Sequence, residues 1–262
     1  MEQKQIYHKQ NQGEPSAVSN ASAEQVYSQR ERVVWMLKKM PSLMLGLALY
    51  AIGILLTLHS NLGMSPWDVF HMGIVKHSIF TLGQVSIGTG LAVLLLSYFI
   101  GVIPGLASVL NMIFIGLFID LFDSLNLIST PQTLWGKGLM LVLGILVIGW
   151  ASYFYLRVNL GSGPRDSLME GLVKKMDQPV WLIRGLMEGS VLLMGFLMGG
   201  PVGIGTLVIA ATLGFSVQWA FKLGRYSSKD SEHMSLRQLY RWLKPATPAL
   251  CAAEQSNTAD KC

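Results

Sequence analysis

The 262 residues are 51% hydrophobic and only 13% charged, a balance that leaves too little polar surface to cover a soluble fold. The formal net charge of +5 does not mark a nucleic-acid binder, because the basic residues gather in tails and loops, where they report topology instead. Lipid as solvent accounts for both facts.

Residues 1–38 are polar, without apolar periodicity, and no short hydrophobic core follows a charged start as in a secretory signal. They are expected to form a retained, disordered tail. Between Lys39 and His59 lie nineteen uncharged residues, which at ~1.5 Å per residue nearly match a ~30 Å hydrocarbon core and form the first span. Ser78 to Ile119 carries no charge and is long enough for two crossings, with Gly101-Val102-Ile103-Pro104-Gly105 as the turn between them. Gly138–Leu156 supplies a fourth span. Trp181–Phe221, broken at Gly199-Gly200-Pro201-Val202-Gly203, supplies the fifth and sixth.

Arg30, Arg32, Lys38 and Lys39 precede span one, Arg157, Arg165, Lys174 and Lys175 lie between spans four and five, and Lys222 and Arg225 follow span six. The alternate loops hold only Lys76 and Lys137. Positive residues near span ends stay in the cytoplasm, so both termini are expected inside. In the tail 225–262, Leu236, Leu239, Tyr240 and Leu243 recur at helical spacing beside Arg237, Arg241 and Lys244. That pattern fits an amphipathic helix on the inner leaflet, or a frayed soluble tail. Cys251 and Cys262 lack metal-ligand or CxxC spacing, and no cofactor or metal motif accompanies them.

The chain also resembles itself at a separation of 98 residues. Asn61-Leu62-Gly63-Met64-Ser65-Pro66-Trp67-Asp68 returns as Asn159-Leu160-Gly161-Ser162-Gly163-Pro164-Arg165-Asp166, with five of eight positions identical. The offset continues through Leu45-Gly46 and Leu143-Gly144, Gly73 and Gly171, Lys76 and Lys174, and Gly116 and Gly214. The expected fold is an all-α membrane protein of about six transmembrane helices in two three-helix repeats, 39–124 and 138–224. Three crossings per repeat turn the second copy upside down, giving inverted repeats about an axis in the membrane plane.

Within NLGxxPxD each position has a local use. Gly63 and Gly161 permit a positive φ, Pro66 and Pro164 suit the first helical position, and Asp68 and Asp166 complement the helix dipole. Asn61 and Asn159 open the turn, and Ser65 stands at the N-cap where the second copy has Gly163. The short helices that follow, about 66–77 and 164–176, reach ~18–20 Å and cannot cross the core. Either they lie flat at the interfaces with solvated aspartates, or they are re-entrant and aim their N-termini at a cavity between the repeats.

In the second case Asp68 and Asp166 are proton or cation partners, and Arg165 adds a charge absent from the first copy. Arg184 and Glu188, four apart on span five, form either a self-neutralising pair or a cavity-facing one. Asn111 sits mid-span, where interhelical bonding explains it as well as ligand contact does. Asp120 and Gln218 read as interfacial polar residues, and His59, His71 and His77 as interfacial residues around the first motif. Gly185-x-x-x-Gly189 and Gly195-x-x-x-Gly199 give smooth faces for helix packing, which does not fix an oligomeric state.

With Asn61–Asp68, Gly161–Asp166 and the run Gly163-Pro164-Arg165-Asp166-Ser167-Leu168-Met169 in view, residues 41–224 resemble the YczE/YyaS/YitT family, most closely its YczE-like branch. The resemblance implies a multi-pass protein of the bacterial inner membrane and carries over no substrate or catalytic residue. Beyond the lipid bilayer, the expected partner is a small molecule or ion. The functional expectation is a secondary transporter binding it through Asp68, Asp166, Arg165, Arg184, Glu188 and Asn111. The competing expectation is a non-transporting scaffold that recruits a cytoplasmic partner through its tails. HExxH, GxSxG and P-loop motifs are absent, so an enzyme is not expected.

Overall fold

The computed structural model describes residues 29–226 and 234–243. These form α1 (Gln29–His59), α2 (Pro66–Lys76), α3 (Leu82–Ile100), α4 (Leu106–Ser124), α5 (Leu134–Leu156), α6 (Pro164–Met176), α7 (Val180–Leu197), α8 (Ile204–Leu223) and α9 (Leu236–Leu243). Six of them are long and apolar enough to cross a membrane: α1 from Arg32, α3, α4, α5, α7 and α8. The protein is an all-helical membrane protein, and among the described residues no strand forms.

The order of span, turn, short helix and two spans occurs twice. Boundaries follow local chemistry. Thr81 caps α3 in a reciprocal box with Gln84, and Gly101 ends it at φ 102°, where a side chain would be strained. Span four begins at Leu134, not Gly138, because the Thr133 hydroxyl accepts from Gly136 N and Lys137 is carried within the first turn. The first helix likewise starts earlier than the charge pattern suggests. Residues 29–38 are helical, since Arg and Lys interrupt hydropathy without breaking helical backbone. Residues 1–28, Lys244 and both cysteines lie outside the described residues.

The chain divides into two compact units, Lys39–Arg237 on one hand and Met1–Lys38 with Gln238–Cys262 on the other. In the smaller unit Trp35 meets Trp242 edge-on at 5.3 Å, and Arg32 donates to the Trp242 carbonyl. In the larger unit α2 packs on α7 and α6 packs on α3, so each short helix leans on the middle span of the other repeat.

These contacts are reciprocal. Gly205 N donates to Leu62 O at 2.7 Å and, one repeat away on both sides, Ala107 N donates to Leu160 O at 2.8 Å. A Cβ on Gly73 would come within 2.9 Å of Met198, and one on Gly171 within 3.0 Å of Ile100, the counterpart of Met198 at the same offset. Reciprocity of i with j and j with i is what two copies facing one another produce.

Candidate functional site

The two NLGxxPxD turns adopt one conformation. Asn61 and Asn159 sit at φ 53° and 58°, and Gly63 and Gly161 at 123° and 132°. Asparagine is among the few side chains that tolerate the left-handed region, which accounts for its place in the motif. The turns reverse the chain sharply and deliver Pro66 and Pro164 to the first turns of α2 and α6.

Both short helices begin well away from the ends of the spans. Trp67 is buried with Val93 and Val191, residues near the middles of α3 and α7, and Leu168 packs on the same cluster. The Arg165 guanidinium lies 4.7 Å from the centre of the Trp67 ring, so the starts of α2 and α6 meet. Residues 67 and 165 are repeat counterparts.

Around this meeting point is a cavity of about 290 Å³, room for a small organic molecule. Asp68, Asp166, Arg165, Arg184, Glu188 and Asn111 all line it, which brings all six residues of the sequence-derived set to one space. Asp68 is 4% exposed. Its carboxylate accepts from the Ser65 hydroxyl, while its own N–H donates back to Ser65 Oγ at 3.4 Å. Asp166 accepts from the Tyr155 hydroxyl at 3.4 Å. Arg184 Nε donates to Glu188 Oε1 at 3.0 Å, so the pair is formed and also borders the cavity. Arg165 takes part in none of the ion pairs found among the described residues, and its charge rests on the indole face of Trp67.

His71 departs from its reading as an interfacial residue. It is 3% exposed, lines the cavity, and places Nδ1 3.7 Å from Asp68 Oδ1. On α2 it falls one turn after Asp68, so the burial of one face carries both inward. His59 and His77 sit on surface bonds: His59 Nε2 lies 3.2 Å from Asp123 Oδ1, and His77 Nε2 lies 3.1 Å from Met198 O. Asp120 accepts from Thr81 Oγ1 at 2.6 Å and from Gly83 N at 2.9 Å, which fastens α4 to the start of α3. Trp67, Tyr50 and Tyr155 belong to the cavity wall and were not singled out from the sequence. The signal for the tyrosines was a hydroxyl inside an apolar span, which needs a partner when buried.

Carboxylates and guanidinium groups that line one cavity can interact with a charged solute and with one another. No group of three or more metal-ligating side chains occurs among the described residues.

Residues 37–222 match DUF6198, a family of unknown function. The chain belongs to the DUF6198 family. The chain is 37% identical over 188 residues to the uncharacterized membrane protein YczE of Bacillus subtilis, covering 70% of this chain and 86% of that protein. It is 35% identical over 201 residues to an uncharacterized protein of Haemophilus influenzae, covering 70% and 83%, and 28% identical over 172 residues to the B. subtilis protein YyaS, covering 63% and 83%. No solved structure matches.

Proposed function

We propose that this DUF6198 protein is a secondary transporter of the bacterial inner membrane, with both termini cytoplasmic and its substrate held between two inverted repeats. The observation that carries the reading is the cavity itself. The carboxylates of both copies of one motif, the Arg165 guanidinium of the second copy and the Arg184–Glu188 pair of α7 converge there, where Trp67 packs against the middles of α3 and α7. In this reading α2 and α6 are re-entrant helices whose N-termini face the substrate, as in transporters built from discontinuous helices.

Ionisable residues are costly within a membrane and are kept where they bind or relay. Asp68 and Asp166 serve as proton or cation partners, Arg165 engages an anionic group, and Arg184 with Glu188 marks the way out toward the cytoplasm. Rocking one repeat against the other exposes the site alternately, because the reciprocal contacts of Leu62 with Gly205 and Leu160 with Ala107 act as matched hinges. Transport of this kind makes and breaks no covalent bond, so the protein is not an enzyme.

The test is uptake by liposomes containing the purified protein, offered a pool of small metabolites under an imposed proton or sodium gradient, with mass spectrometry of the lumen. Accumulation of one solute class that Asp68→Asn and Arg165→Gln abolish is the expected result. Absence of any flux from a broad pool would remove the proposal.

A further inference from the structure

The two repeats differ in how their last two spans meet. In the first, α3 packs closely on α4. A Cβ on Gly116 would come within 3.0 Å of the Ile87 side chain, and the Met112 side chain fills the space over Gly90. In the second, α7 and α8 are consecutive yet not packed together in this way.

The substitutions at the repeat offset explain the gap. Ile87 becomes Gly185, Met112 becomes Ala210, and Ser86 and Gly90 become Arg184 and Glu188. Gly185, Gly189 and Gly214 each face open space, with nothing within 4 Å of a Cβ built there. Bulk that closes the first pair has been removed from the second, and a charged pair has been added. The gap opens into the cavity, because Ala210, Leu213 and Gly214 of α8 and Arg184, Met187 and Glu188 of α7 all line it.

The Arg184 side chain is 59% exposed and that of Glu188 35%. Arg184 stands one turn from the cytoplasmic end of α7 as oriented above, at the depth where lipid head groups begin. A solute wholly soluble in water has no use for a side opening within the apolar length of two spans. A molecule with a polar head and an apolar chain does.

Resting on the transport reading, we infer that the ligand is a single-headed amphiphile with an anionic head, a phosphate or a carboxylate, which enters sideways between α7 and α8. Its head reaches Arg165, the cavity cation that takes part in none of the ion pairs found among the described residues, and its chain runs out past Gly185 and Gly214 into the bilayer. Arg184 receives the head at the mouth, and Met187 and Leu213 line the way for the chain.

The experiment uses the full chain in nanodiscs of phosphatidylcholine. Four probes are compared by equilibrium binding: lysophosphatidic acid, oleate, lysophosphatidylcholine, and glycerol phosphate as a head without a chain. Binding of lysophosphatidic acid or oleate is expected to exceed that of the other two, and the better of these two identifies the head group. Arg165→Gln should weaken that binding about tenfold.

Gly185→Leu with Gly214→Leu, placed where Cβ atoms meet nothing, should do the same while leaving the unfolding temperature near the wild-type value. Equal binding of glycerol phosphate, unaltered binding in the filled variant, or no binding of any probe overturns the inference. A water-soluble solute still carried by the filled variant would overturn it and leave the transport reading standing. Amphiphile binding blocked by the filled variant, with no movement across liposomes, would support it and remove the transport reading.

Discussion

At the level of single residues, the NLGxxPxD turn is where backbone conformation matters most. Asn61 holds φ 53°, and Asn61→Ala should cost about 1 kcal/mol, because alanine lacks the short polar side chain that makes the left-handed region tolerable. Gly63→Ala should cost more, about 2–3 kcal/mol, since φ is 123° and the new Cβ would lie 2.6 Å from Thr206 Oγ1. Thermal unfolding in detergent, followed by size-exclusion profiles, would rank the two; a smaller loss for Gly63→Ala would contradict this account of the turn. The glycine and proline roles were legible in the sequence, because they depend only on local backbone geometry. The left-handed asparagines carried a weaker signal, since asparagine also stands for caps and ordinary loops. The burial of His71 was not legible, because an eleven-residue helix with apolar residues on several sides does not announce which face turns inward.

At the level of elements, six spans and two short helices follow from hydropathy and punctuation, while their partners do not. Nothing in the pattern Pro66–Lys76 says that α2 rests on α7 of the other repeat, because that choice is made by shape: Gly73 and Gly195 remove bulk where the helices meet. Gly73→Leu should therefore disrupt folding, whereas Gly88→Leu, where a Cβ meets nothing, should leave yield and unfolding temperature nearly unchanged. The Arg184 and Glu188 pair allows a sharper test. Arg184→Leu or Glu188→Leu alone leaves one charge uncompensated within a span and should cost about 1–2 kcal/mol. The double replacement should recover most of that stability yet still weaken ligand binding. Recovery of both stability and binding in the double variant would reduce the pair to a local ion pair.

For the whole molecule, the proposed inverted arrangement, with three crossings per repeat, predicts that Lys76 and Lys174 lie on opposite faces. In a protein stripped of Cys251 and Cys262, an impermeant maleimide added outside intact cells should label Lys76→Cys and spare Lys174→Cys; labelling of both from one side would remove the inverted arrangement. The duplication was legible because both copies retain register over the membrane region. The cavity stood only as one of two alternatives, because it exists where residues 98 positions apart come together in space, and sequence does not place the depth of the short helices. That meeting of Trp67 with Arg165 bears on ancestry. A residue lying on a two-fold axis confronts its own double, so a homodimer of identical three-span subunits would have set indole against indole or guanidinium against guanidinium. Once the two copies diverge, the two facing seats can be filled differently, and an aromatic face opposite a cation is the complementary filling. Exchanging the occupants, Trp67→Arg together with Arg165→Trp, should preserve the fit, whereas Trp67→Arg alone should drive the halves apart.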